Sequence, residues 1–387
     1  MNGALLMQFT KLDNAVKNAL ERGAFPGAVC AVGDKNGLLF KKAYGHTRIY
    51  SDDAPCFDLV PSHIPDGLEK MSFDTMFDMA SCSKILSPTM IALKLIEDGE
   101  LTLYDSISRF VDVPDDKQEI ELRHLLTHTS GIKAHFLLEK LTDDPKTAAQ
   151  TILAQPLSSK VGTKVEYTCM GYILLGRILE KVCGKPLDEL ADEYVFSPLG
   201  MKDTCYNPKT KGYKKFAVTE YSEDLKRYKC GEVHDENAYF LGGVSANAGV
   251  FSTIDDAVKF ALMLSRRGMN GEKVYLSSAT FDMASRDYTE WDEEHRGIGF
   301  SLKGSNSISA MGDLYAVGSY GHNGFTGTSI YVDKATSFFM VLLTNRVHYT
   351  RGNILANRYR RAFHNVALAE YCTFRTENKI VYEEAQL

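Results

Sequence analysis

No apolar stretch in the 387-residue chain reaches the roughly 18 to 20 residues that a membrane-spanning helix needs, so no helical span is expected. Basic residues are not in excess either. Lys plus Arg number 44 against 50 Asp plus Glu, a formal net charge of -6, which argues against general attraction to nucleic acid or an anionic membrane. Residues 1–24 interleave Lys11, Asp13, Lys17 and Glu21 with hydrophobics and lack the uncharged core of a secretory signal. The eight cysteines, at 30, 56, 82, 169, 183, 205, 230 and 372, include no C-x-x-C pair and no histidine at finger spacing. They read as reduced thiols, and no metal or cofactor is expected. With 44% apolar and 24% charged residues the chain is neither disordered nor fibrous, and its expected location is the cytoplasm.

Periodicity organises the chain. From Thr10 the residues Leu12, Ala15, Val16, Ala19 and Leu20 recur at helical spacing, with Thr10 placed to cap the start and Gly23 to end the helix. Apolar runs 27–32 and 38–44 flank an Asn36-Gly37 turn signal and predict a β-hairpin. Runs 314–317, 328–332 and 338–344 predict three more strands, and Leu355, Tyr359, Ala362, Phe363 and Val366 a closing helix with Arg358, Arg360 and Arg361 on its solvated face. Residues 84–98, 146–154 and 168–182 are helical in pattern, with a kink or restart expected at Pro88. The expected fold class is therefore α+β: an antiparallel sheet from both chain ends, flanked by terminal helices, with a mostly helical region inserted. The boundaries are 1–80 with 245–387 for the sheet domain and 81–244 for the helical one, and the site is expected at their interface.

Three elements in the sequence can carry chemistry. A serine hydroxyl needs a neighbour to take its proton, and a lysine one helical turn away is close enough. S-x-x-K occurs twice, but Ser130-Gly131-Ile132-Lys133 is turn-like, whereas Ser81-Cys82-Ser83-Lys84 opens a helical segment, so Ser81 is the better candidate; the bland reading is a helix cap. Tyr167 stands at the mouth of the helix beginning near residue 168, where an isolated tyrosine is ordinarily packing. The segment Gly321-His322-Asn323-Gly324-Phe325-Thr326-Gly327 is glycine-rich enough for backbone amides to approach a ligand, or for a bulged turn. His128 reads as a structural residue that holds a loop. The run His234-Asp235-Glu236 reads as a surface or cleft-rim loop rather than a metal site.

In this order, Ser81-x-x-Lys84, Tyr167-x-Cys169 and His322-x-Gly324 resemble the three motifs of the penicillin-recognising serine hydrolases, specifically the branch of class C β-lactamases, DD-peptidases and related esterases. Further segments are similar to that family: Pro26-Gly27-Ala28, Phe77-Asp78-Met79-Ala80, Leu125-Leu126-Thr127-His128-Thr129-Ser130-Gly131 and Pro198-Leu199-Gly200-Met201. The resemblance implies that Ser81 is an acylated nucleophile, that Lys84 is its base or electrostatic partner, and that Tyr167 is a proton shuttle set against Lys84, whose ammonium should favour the phenolate. It also implies an oxyanion hole from the Ser81 and Phe325 amides, with His322, Asn323, Gly324 and Cys169 binding substrate. Two departures stand out. His322 replaces a lysine, which disfavours efficient β-lactam turnover, and Cys169 replaces an asparagine, which weakens binding of a substrate amide. The favoured reading is a serine hydrolase acting on small-molecule esters or amides; a DD-peptidase-like, penicillin-binding or weak β-lactamase activity is the alternative, and a non-catalytic scaffold the third.

Overall fold

The structure, a computed structural model, describes residues 8–61, 64–305 and 309–377. At its centre β1 (Gly27–Asp34), β2 (Gly37–Gly45), β3 (Ser301–Leu302), β4 (Tyr320–Asn323), β5 (Ser329–Val332) and β6 (Phe339–Thr344) form one antiparallel sheet in the order β3-β4-β5-β6-β1-β2. The chain ends meet at β1 and β6, with Ala28 opposite Thr344 and Gly33 opposite Phe339.

Alternation along the strands sorts the two faces. Ala28, Cys30 and Val32 of β1, with Met340 and Leu342 of β6, face a layer made by the N-terminal helix Thr10–Glu21 and the C-terminal helix Leu355–Glu377, through Leu12, Val16 and Phe363. Val29, Ala31, Val341 and Leu343 face the other way and share a continuous core with helix Ile254–Ser265 and with Leu174 and Ile178 of helix Cys169–Cys183. The expected α+β architecture is thus the observed one. Pro88 restarts its helix as expected: Ser83–Leu86 and Pro88–Glu97 are separated by Ser87 at φ -137°, ψ -87°.

Three readings are corrected. Residues 314–317 form a bend, not a strand: the Ala316 amide is drawn to Asp333 Oδ1 (2.8 Å), while Leu314 and Val317 face solvent, and the strand begins at Tyr320. Thr10 is the first helical residue and caps nothing; the free amides of Lys11 and Leu12 are taken by Glu370 of the C-terminal helix, at 2.8 and 2.9 Å. Arg360 is buried rather than solvated, because its guanidinium reaches under the sheet to the Gly324 carbonyl. All eight cysteines are free, and among the described residues no helix is long and apolar enough to cross a membrane.

Candidate active site

Ser81 lies in a 3-10 turn, Ala80–Cys82, that runs directly into the Ser83–Leu86 helix. Ala80 before it is left-handed, φ +46°, a conformation that alanine adopts only under constraint. The constraint is Asp78, a buried carboxylate that accepts the Ala80 amide at 2.8 Å and the His234 amide at 2.7 Å. A family-like segment therefore contains a structural acid whose task the sequence does not announce.

Lys84 is fully buried, and its Nζ donates to the Asn247 carbonyl (2.9 Å), to Ser81 Oγ (3.3 Å) and toward Cys169 Sγ (3.7 Å). Its ammonium also lies 4.9 Å from the centre of the Tyr167 ring, so S-x-x-K and the tyrosine motif do converge. Burial opposes the charge on Lys84, but the neighbouring Cys169 and Tyr167 outweigh it and hold the amine above the ordinary lysine range. Burial likewise pushes the Tyr167 phenol up, more than Lys84 pulls it down. The resting pair is ammonium and phenol, so the expected phenolate is not the resting form. The Cys169 thiol is also pushed up by burial.

The glycine-rich segment closes the opposite wall. His322 and Asn323 end β4, paired with Ile330 and Ser329. A Cβ on Gly324 would lie 2.6 Å from the Met79 carbonyl and 3.2 Å from Ala80 Cβ, so only glycine lets this strand end come up against the nucleophile turn. Thr326 and Thr328 then donate to the Asp78 and Met79 carbonyls at 2.8 and 3.0 Å. The Phe325 carbonyl accepts from Arg346 Nε (2.7 Å), and no acceptor among the described residues takes the Phe325 amide. His322 Nδ1 meets the Asn323 carbonyl at 2.8 Å, which fixes that nitrogen as donor and leaves Nε2 an acceptor without a partner. Burial first, then Lys84 and Arg296, push His322 down to about 3, so it carries no charge at neutral pH.

Three further residues border the site, of which Arg296 carries no sequence signal and His128 and His234 read only as loop residues. His128 holds the loop as expected, with its Nδ1 accepting the Thr168 amide (3.1 Å) and its backbone at φ +61°, yet its ring also lies 4.4 Å from that of Tyr167 and its Nε2 is unpartnered. Arg296 sits 5.3 Å from the centre of the tyrosine ring, 9% exposed, paired with Glu294 through Nη2 and with an unpartnered Nε. His234 is buried, not at the surface: it pairs with Glu220 (2.9 Å) and stacks on Phe325. Its neighbour Asp235 caps the next helix and accepts Asn247 Nδ2 at 3.0 Å.

A serine on a strained turn, a buried lysine and tyrosine beside it and a glycine strand end with a free amide define the class of penicillin-recognising serine hydrolases. The chain belongs to the β-lactamase family of that class, whose family model matches residues 12–365. It is 32% identical over 372 residues to the N-acetylmuramyl-L-alanine amidase of Bacillus subtilis strain 168, covering 87% of this chain and 81% of the relative. A Salmonella typhi protein provisionally named a D-alanyl-D-alanine carboxypeptidase is 28% identical over 378 residues, covering 90% and 84%. In fold the chain is similar to the octameric penicillin-binding protein homologue from Pyrococcus abyssi (TM-score 0.71, 19% identity, 94% of this chain and 77% of that one). It is also similar to EstCE1, a hydrolase with promiscuous acyltransferase activity (TM-score 0.68, 21% identity, 93% and 98%).

Proposed function

We propose that Ser81 is the nucleophile of a hydrolase that cleaves small esters or amides through an acyl-Ser81 intermediate. One observation carries this: Ser81 Oγ lies 3.3 Å from the Nζ of Lys84, a wholly buried amine that reaches no carboxylate among the described residues. With no ion pair to make, the amine has no evident structural task, whereas a serine nucleophile needs such a group beside it. In the reaction the Lys84–Tyr167 pair first gives up one proton to solvent; Ser81 Oγ then bonds to the substrate carbonyl carbon as its own proton passes to the base so vacated. The same pair returns a proton to the departing alcohol or amine, and water then attacks the acyl group by the reverse route. The amides of Ser81 and Phe325 are assigned to the oxyanion. Gly324, His322 and Cys169 border the bound acyl group, whereas the Asn323 side chain, expected beside them, turns to the other face of the sheet and accepts from the Tyr331 hydroxyl (2.8 Å); the active site is assigned to the junction of 1–80 and 245–387 with 81–244. A cytoplasmic location belongs to the same reading, on the ground of eight free thiols.

Arg296 favours a second reading. Glu294 holds Arg296 Nη2, but the buried arginine Nε beside Tyr167 is an unpartnered charged donor of the kind that neutral His322 does not supply, which suits a peptide ending in a carboxylate. The relative named for a D-alanyl-D-alanine carboxypeptidase points the same way, and the one named an N-acetylmuramyl-L-alanine amidase points to an amide bond. A stopped-flow burst with p-nitrophenyl butyrate on wild type and Ser81→Ala tests the first reading: near-stoichiometric p-nitrophenol release, lost in the variant, is expected. A burst that survives in Ser81→Ala would remove Ser81 from the chemistry, and no release from wild type with any ester or amide would return the scaffold reading. Slow, stable acylation by benzylpenicillin, weakened in Arg296→Gln, is the outcome the second reading requires.

A further inference from the structure

The Gly324 carbonyl and the Phe325 N–H belong to one peptide, and no peptide bond among the described residues is cis. In a trans peptide these two groups point in opposite directions. The N–H has no acceptor among the described residues, whereas the carbonyl accepts from the Gly327 amide within the turn at 3.2 Å and, from the C-terminal helix, from Arg360 Nη2 at 3.1 Å. The turn and Arg360 together orient this peptide from behind, and the charge of Arg360 on the carbonyl polarises the amide on the far side.

Arg360 is itself incompletely satisfied. It is 5% exposed, that single carbonyl is its hydrogen-bond partner among the described residues, no carboxylate there pairs with it, and its Nε has no partner. It borders a solvent-open cavity of about 710 Å³ behind the sheet, also lined by Asn323, Asn357, Arg358 and Arg361. Arg361 Nε is likewise buried and unpartnered. The three guanidinium groups face one lining carboxylate, Asp313, which Arg361 and Asn365 already hold at 3.0 and 2.8 Å. Unused fork-shaped donors in a roomy, net-positive cavity match a tetrahedral oxyanion, which offers several acceptor oxygens at once.

We propose that this cavity binds a phosphate group, as inorganic phosphate or on a phosphomonoester, through Arg358, Arg360 and Arg361, and that the bound anion slows the hydrolase by drawing Arg360 off the Gly324 carbonyl. The binding site stands on the cavity alone; the regulation rests on the oxyanion-hole reading given above. Losing a whole oxyanion donor costs about two to three orders of magnitude, so weakening one is expected to slow acylation about three- to tenfold.

Calorimetry at constant ionic strength, titrating the full chain with inorganic phosphate and separately with phenyl phosphate, tests the site. Saturable binding in wild type, weakened about tenfold or more in both Arg361→Gln and Arg358→Gln, is expected from the loss of one charge-assisted contact. Tighter binding of phenyl phosphate would assign an organic ligand, and equal or weaker binding free phosphate. No saturable binding of either probe at millimolar concentration, or binding undiminished in both variants, overturns the site. The acylation rate, normalised to each variant's own phosphate-free rate, should fall with occupancy in wild type and stay constant in Arg361→Gln. An unchanged wild-type rate at saturation overturns the regulation. Absence of acylation under every condition would instead fault the hydrolase reading, and calorimetry would still decide the cavity.

Discussion

Lowering the pH from 7 to 5 should cost this fold much of its stability, and the reason lies in five buried histidines. Burial pushes His124 down to about 4 and His322, His348 and His364 to about 3, and holds His128 well below its ordinary value. Several are also locked as acceptors: His348 Nε2 takes the amides of Ile49 and Tyr50 at 3.0 and 3.1 Å, and His124 Nδ1 takes that of Glu121 at 3.0 Å. A proton on either nitrogen would face a donor with a donor. The sign follows from linkage. Each group titrates near 6.5 when unfolded and lower when folded, so the native state binds fewer protons between those values; stability is full above about 6.5 and falls as the pH drops below it. From pH 7 to 5 each such histidine costs about 2 kcal/mol. The four that fall to about 3 or 4 together cost about 8 kcal/mol, and His128 adds to the loss in the same direction; this is comparable with the roughly 5 to 15 kcal/mol that holds a typical domain. The carboxylates held down to about 2, Asp13, Glu97 and Glu220, add their losses only below about pH 4.5. Urea midpoints followed by circular dichroism at pH 7, 6 and 5 should fall steeply, approaching five protons taken up on unfolding, and His348→Gln should reduce that uptake by one. A midpoint constant from pH 7 to 5 would refute the reasoning.

The remaining predictions concern the site. Lys84→Met should slow acylation by about 10²- to 10⁴-fold without lowering the urea midpoint, since it removes a buried cation that reaches no carboxylate among the described residues; wild-type acylation would exclude Lys84 from the chemistry, and a large fall in midpoint would make it structural. Because Lys84 and Tyr167 are both held above their ordinary values, the deprotonated, reactive form of the pair is a minority at neutral pH, and kcat/KM should keep rising between pH 7 and 9. A plateau reached below pH 7 would contradict that order. Gly324→Ala drives a Cβ against the Met79 carbonyl and should displace the Phe325 amide, reducing kcat by about two to three orders of magnitude with little change in KM; a wild-type kcat would show that this peptide does not meet the transition state.

Local patterns were legible wherever one physical cause dominated. The hairpin at Asn36-Gly37, the restart at Pro88 and the two terminal helices follow from turn chemistry, a missing amide and apolar spacing, none of which needs distant partners. The 314–317 strand was misread because apolar residues there face solvent once Asp333 claims the Ala316 amide. Arg360 was misread because helix spacing assigns a face, while what the face meets depends on the sheet packed beneath it.

By itself the sequence determined the ordered motifs Ser81-x-x-Lys84, Tyr167 and His322-x-Gly324, and through them the family, since spacing along a helix turn and glycine beside a strand end are local properties. Only the tertiary structure decided what charges those residues carry and which others join them. Burial, a property of the whole fold, keeps Tyr167 a phenol despite the Lys84 ammonium beside it and keeps His322 neutral well below the pH at which a free histidine would charge. Long-range packing brings His234 onto Asp78, Arg296 over the tyrosine and Arg360 behind the oxyanion peptide, from segments 156, 129 and 36 residues apart in the chain. No periodicity records such contacts, because each is made by two parts of the chain that meet only once the sheet has closed.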